Sequence, residues 1–166
     1  MNTDIRRKDR VVTDHNQIIK IIDRAKILHL GLIDNKFPYI VPLHYGYEYD
    51  CSKDMFIFYM HGAKNGRKID LIRSNSNACI ELETDVELDS ADDIPCQYGS
   101  FYSSVIGQGY ATIVDDEEEK KRALNLLMEN QTGRTFDFTE KMVAAVAVIK
   151  VEIREYTAKA RVKMAQ

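Results

Sequence analysis

The sequence predicts a mainly β protein: an antiparallel β-barrel with helices at its periphery. Three observations carry this. About six segments have strand character, against two or three with helical periodicity. The strands follow one another mostly in hairpin order, without the regular alternation of strand and helix that a doubly wound sheet needs. And 166 residues are enough for one domain with a sizeable core.

Residues 1–12 are polar, with Arg6, Arg7, Lys8 and Arg10 close together, and read as a solvated arm. Thr13 is placed to cap a helix running to about Ala25, with Ile18, Ile19, Ile22 and Ala25 on its buried side. Ile27 to Ile33 reads as a strand, Asp34-Asn35-Lys36 as a hairpin turn, and Tyr39 to Tyr49 as the returning strand. In that strand Tyr39, Val41, Leu43, Tyr45 and Tyr47 share one face, and Ile40, Pro42, His44 and Gly46 the other. Pro42 cannot donate to a ladder, which marks an edge strand or a break whose free backbone could meet a flat polar ligand.

Met55 to His61 is a further strand, and Gly62 and Gly66 bracket the turn after it. A helix follows, with Ile69, Leu71 and Ile72 apolar and Arg67, Lys68, Asp70 and Arg73 polar. Ala78 to Thr84 returns as strand. Asp85 to Asp93 carries five acids without periodicity and reads as a long loop within an excursion over residues 85–100. Tyr102 to Val114 is strand, with Gly107 and Gly109 marking a bend or bulge. A helix from Asp115-Asp116-Glu117 to about Gln131 carries Ala123, Leu124, Leu127 and Met128 as its apolar stripe. Thr132 to Lys141 is irregular. Val143 to Thr157 is the last strand, with Ala145, Ala147, Ile149, Val151 and Ile153 on one face and Lys150, Glu152 and Arg154 facing water.

The stretch with most chemistry in it is Met55 to Asn75. Lys64, Arg67 and Lys68 cluster at a helix start, where the unpaired N–H groups already repel cations. An anion there would relieve the repulsion, and a phosphate suits the Arg fork and the Lys charge. The spacing is not that of a P-loop, since Lys68 is followed by Ile69. A solvated basic turn fits the same residues equally well.

The net charge of -3 offers no broad basic surface for nucleic acid. Cys51, Cys79 and Cys96 are scattered and odd in number, and no cysteine or histidine ligand spacing appears. Neither a metal site nor a disulfide framework is therefore expected, and a reducing, cytoplasmic setting fits best. No apolar run reaches the length of a membrane span, and no signal segment is visible.

Three blocks then carry a resemblance: PYIVPLHYGYE (Pro38 to Glu48), FYMHGAKNGRKIDLIRSN (Phe58 to Asn75) and YSSVIGQGYATIVDDEEEK (Tyr102 to Lys120). In order and spacing they resemble the pyridoxamine-phosphate-oxidase-like, FMN-binding split barrels, and most of all the 5-nitroimidazole resistance branch. RRKDR at Arg6 to Arg10 matches that branch too, and the resemblance covers nearly the whole chain. It implies a six-stranded split barrel forming a homodimer, with two flavin sites at the subunit interface. The flavin would be FMN, with FAD possible. Lys68, with Lys64 and Arg67, would hold its phosphate. Val41, Pro42, Leu43 and His44 would line the ring through their backbone. Ser104 and Val105, with Gly107, would add contacts. His61 would be the active-site histidine, although at a strand end before glycine it could instead hydrogen-bond a turn carbonyl. The activity implied is reduction of a small acceptor, such as a 5-nitroimidazole, with electrons from a reduced nicotinamide. A flavin- or haem-binding protein without turnover is the alternative. A strict pyridoxamine-phosphate oxidase is disfavoured, because the sequence stops at Gln166 without that enzyme's arginine-rich final segment.

Overall fold

The computed structural model describes residues 6–91 and 93–163. Residues 1–5 of the expected arm, Asp92 of the expected acidic loop and residues 164–166 lie outside the described residues. The described chain builds one antiparallel sheet of eight strands, two more than expected. Along the sheet the order is β3 (Phe37–Leu43), β2 (Leu28–Asp34), β6 (Asn77–Asp89), β7 (Gly99–Val114), β8 (Ala147–Arg161), β5 (Met55–Gly62) and β4 (Tyr45–Asp50). A two-residue strand, β1 (Val11–Val12), pairs with β8 off this path.

The extra strands have two sources. One is β1. The other is the segment expected as one strand from Tyr39 to Tyr49, which breaks at His44. Its first half pairs with β2 and its second half with β5, so the two halves lie at opposite ends of the sheet. A single residue thus joins the two edges, and the covalent chain bridges them where no ladder does. The expected alternation survives the break: Tyr39, Val41, Leu43, Tyr45 and Tyr47 all pack against the same core.

That core is lined by Leu28, Leu30 and Leu32 from β2, Ile80 and Leu82 from β6, and Ile149, Val151 and Ile153 from β8. Two helices close it: α1 (His15–Arg24), through Ile18, Ile21 and Ile22, and α2 (Arg67–Ser74), through Ile69 and Ile72. A second, smaller core lies behind β5 and β8. There α3 (Glu117–Thr132) brings Ala123 and Leu124 onto Met55, Ile57, Tyr59 and Val148, and Val143 comes from α4 (Glu140–Ala144). Strand β5 is therefore buried on both faces from Met55 to Met60, which accounts for its continuous apolar run.

Several boundaries differ from the sequence reading, each for a local reason. Asp14, not Thr13, caps α1, and its carboxylate accepts from the Gln17 N–H at 2.8 Å. The acidic segment after Thr84 continues β6 as far as Asp89 past an irregularity between Thr84 and Glu87, because Glu87, Leu88 and Asp89 find partners on β7. Thr139 caps α4 inside the segment expected to be irregular, and Ala145 ends that helix rather than facing the barrel. Lys150 does not face water. Its Nζ donates to Glu119 of α3 at 3.0 Å. The bulge expected near Gly107 and Gly109 is present as a register shift between Gln108 and Gly109.

Helix α3 lies directly on the start of β4. A Cβ at Gly46 would sit 2.2 Å from backbone atoms of Leu126 and Leu127. Asn130 and Gln131 both donate side-chain N–H groups to the Tyr45 carbonyl, at 2.9 and 3.1 Å. Gly46→Ala would thus force backbone from backbone. It should cost about 2–3 kcal/mol in stability, read as a lowered urea midpoint with the m-value unchanged.

Candidate functional site

The candidate site forms where β5 ends and α2 begins. Gly66 has φ 125° and ψ 169°, a conformation open to glycine alone, and it is the N-cap of α2. Having no side chain, it leaves the first helical turn without a side-chain cap. Gly62, the last residue of β5, supplies space rather than a turn. A Cβ there would meet Lys68 Cε at 2.7 Å and Nζ at 2.8 Å. The Lys68 ammonium therefore folds back over bare strand backbone, in a cradle that any other residue would fill.

The three cations of this turn have different fates. Arg67 is spoken for within the chain: its Nε donates to Asp34 Oδ2 at 2.6 Å, a second N–H reaches the same oxygen, and its guanidinium lies 5.2 Å from the Tyr39 ring centroid. Lys64 and Lys68 have no carboxylate within ion-pair distance among the described residues. Arg67 thus ties the helix start to the β2–β3 turn, and the two lysines keep the uncompensated charge. Asp34 and Tyr39 are the residues that sequence reasoning missed, although Asp34 stood in the hairpin turn it identified.

His61 precedes this cradle on β5, and His44 sits at the break between β3 and β4. Both residues keep contact with solvent, though His61 at the strand end loses part of its hydration. His44 Nδ1 is 3.2 Å from the Lys26 carbonyl oxygen, an acceptor, so Nδ1 carries the proton and Nε2 is left as the free nitrogen. Partial burial pushes the His61 pKa below its usual 6.5, and the nearby His44 and Lys68 push it the same way. His44 and Lys68 thus lie close enough to disfavour a charge on His61.

The other expected residues divide. Strand β3 has a neighbour on one side only, so the backbone of Val41 to Leu43 presents an open edge, as Pro42 suggested. Pro42 is exposed, while Val41 and Leu43 turn into the core. Ser104, Val105 and Gly107 lie on β7, with β2 and β6 between them and β3, and are not gathered with His61 and Lys68 in one chain. Val105 is buried in the core. A Cβ at Gly107 would lie 2.6 Å from Ile153 Cγ2, so packing alone requires that glycine.

Separately, the outer face of β2, β6 and β7 carries an open groove of about 1240 Å³ that holds none of the expected residues. Its lining includes His29, Glu81 and Glu83, with Ile33, Ile40 and Tyr110. No helix among the described residues is long and apolar enough to cross a membrane.

This fold, with an uncapped helix start behind a glycine cradle, matches known proteins over most of its length. The chain belongs to the pyridoxamine 5'-phosphate oxidase family, whose model matches residues 14–160. Among solved structures, it is similar to a candidate 5-nitroimidazole antibiotic resistance protein from Bacteroides thetaiotaomicron, at 31% identity and a TM-score of 0.76, over 90% of this chain and 85% of that one. The flavocytochrome Anf3 from Azotobacter vinelandii is similar at 22% identity and a TM-score of 0.78, over 96% and 72% of the two chains. An FAD and heme binding protein from Mycobacterium smegmatis is similar at 15% identity and a TM-score of 0.78, over 95% and 76%. The last two likenesses bear on the fold alone. No curated protein matches the chain.

The electrostatics around His61 can be read directly. In flavin-free protein the His61 ring protons should titrate with a midpoint below 6.5 by NMR. Lys68→Met should raise that midpoint without restoring it fully, because burial is the larger cause. An unchanged midpoint would separate Lys68 from His61.

Proposed function

We propose that the chain is a flavin-dependent oxidoreductase, binding FMN as a homodimer and reducing a small acceptor, such as a 5-nitroimidazole, with electrons from a reduced nicotinamide. One observation carries this: two lysines without carboxylate partners flank an uncapped helix start, and one of them, Lys68, lies over Gly62 beside it. This donor set fits a phosphate monoester. Family membership and the resistance protein among its relatives supply the rest. FAD would present its phosphate in the same way.

In this reading Lys68 and Lys64 hold the phosphate through charge-assisted hydrogen bonds, and Arg67 keeps α2 in place through Asp34 rather than gripping the ligand. The free edge of β3 at Val41, Pro42 and Leu43, with His44 beyond it, lies against the flavin ring. When bound, a flavin would supply the redox chemistry between the reduced nicotinamide and the acceptor. His61 supplies a proton, or a hydrogen bond, to the acceptor beside the ring. Because its pKa lies below 6.5, the protonated form fades as pH rises through that value.

The homodimer is proposed from the same geometry. Ser104 and Val105 sit on β7, away from His61 and Lys68, so within one chain the expected contacts form two half-sites. A second copy joins them. The outer sheet face also exposes Ile33, Ile40, Ile106 and Tyr110, with 46–62% of each open to solvent, and such a face calls for cover.

Three outcomes are expected. Lys68→Ala should weaken FMN binding by about tenfold or more in fluorescence titration, since a charge-assisted bond contributes about 1.5–3 kcal/mol. Equal affinity would remove Lys68 from the phosphate site. His61→Ala should keep flavin content and melting temperature while slowing nitroimidazole reduction by roughly 10²-fold, and the fall in rate as pH rises through the His61 pKa should vanish with it. Flavin-loaded protein inert toward every nitro compound and quinone would favour the binding protein without turnover. Sedimentation should give twice 19.1 kDa, and a monomer that still bound FMN tightly would rule out a shared site.

A further inference from the structure

We propose that His29, Glu81 and Glu83, on the outer face of β2 and β6, form a divalent transition-metal site that takes Zn²⁺. The side chains of these three residues offer one imidazole nitrogen and two carboxylate oxygens, all within 4.8 Å of one another. His29 Nδ1 lies 3.1 Å from Glu81 Oε2 and 3.8 Å from Glu83 Oε2. Ligand atoms at the zinc–nitrogen and zinc–oxygen distances of a tetrahedral site stand about 3.4 Å apart. The two observed separations bracket that value, so a metal ion can enter with side-chain adjustment alone.

The scaffold favours this reading over a chance meeting of surface charges. His29 and Glu81 are direct cross-strand partners, and Glu83 follows Glu81 on the same face of β6. All three stand in strands rather than loops, so the backbone fixes the donor spacing. The charges are also uncompensated. Asp34, Asp85, Asp89 and Glu119 each pair with an arginine or lysine, whereas among the described residues Glu81 and Glu83 have His29 as their ion-pair partner and otherwise meet each other. Two carboxylates held side by side and facing a groove, without a cation between them, fit a bound divalent ion. One imidazole with two carboxylates suits zinc and its transition-metal neighbours rather than magnesium or calcium. Three protein ligands leave a coordination position open toward the groove. The spacing of residues in sequence could not show this site, because its ligands come from strands 52 residues apart.

The site uses none of the residues assigned to the flavin and is tested without it. Untagged protein, stripped with a chelator, is titrated with Zn²⁺ by calorimetry, and with Co²⁺ by the visible band of tetrahedral cobalt. The expected result is one equivalent per chain, without the sulfur charge-transfer band that Cys79 or another cysteine would add. Glu83→Gln and His29→Gln keep polarity, and each should weaken metal binding by about tenfold or more, since each removes one of three ligands. Sub-stoichiometric binding, binding untouched by Glu83→Gln, or equal binding of Ca²⁺ would overturn the assignment. Should His29→Gln fail to fold, Glu83→Gln decides alone.

Discussion

The anchoring of Tyr45 is the constraint on which the rest of the structure depends. Its ring is buried, and its hydroxyl donates toward the carbonyls of Ile22 at 2.6 Å and Ala25 at 3.0 Å. Those carbonyls end α1, so the phenol satisfies acceptors that a helix terminus leaves open. Burial drives the phenol pKa well above its usual value, so the hydroxyl keeps its proton at any physiological pH. On the other side, its own carbonyl takes two amide N–H groups from α3. One residue thus ties both flanking helices to the point where the chain leaves one edge of the sheet for the other. His44, the preceding residue, has its position set by that anchoring.

The candidate site follows from this closure. An edge strand with a free backbone side, a histidine at the break and a lysine laid over Gly62 all need the sheet to open at one line and nowhere else. The ion pairs nearby contribute position rather than energy. The Arg67 side chain is largely exposed, and an exposed pair of this kind adds little to stability. Its value lies in fixing where α2 starts relative to the β2–β3 turn. The network on the far side is of another kind: Arg122 and Glu48 meet around the buried Tyr59 hydroxyl, and Lys150 meets Glu119, which docks α3 through satisfied polar groups.

Much of this was legible in the sequence, for identifiable reasons. The β5 run, the α3 stripe and the β2–β3 turn each carry a local signal, so the antiparallel class, the edge character of β3 and the glycine turn at Gly62–Gly66 could be read from it. The break at His44 could not, since side-chain alternation continues through it and only non-local pairing separates the halves. The pairing of Lys150 with Glu119, and the tie from Arg67 to Asp34, depend in the same way on tertiary neighbours. Lys68 could be singled out because helix start, charge and motif coincide at one position. The division between Lys68 and Ser104 was hidden, because position along a chain says nothing about which strands lie between.

The contact between Gly46 and α3 has a bearing on how the molecule opens. With backbone seated on backbone, no side chain cushions the joint, so the helix cannot tilt or slide a little while the strand stays put. Separation exposes the Gly46 and Tyr45 peptide groups and the two amides of α3 together. Helix and strand should therefore exchange their amide hydrogens as one cooperative unit, with His44 next to it. Slow opening at this joint gives the edge beside the candidate site a rigidity that strands with one neighbour ordinarily lack.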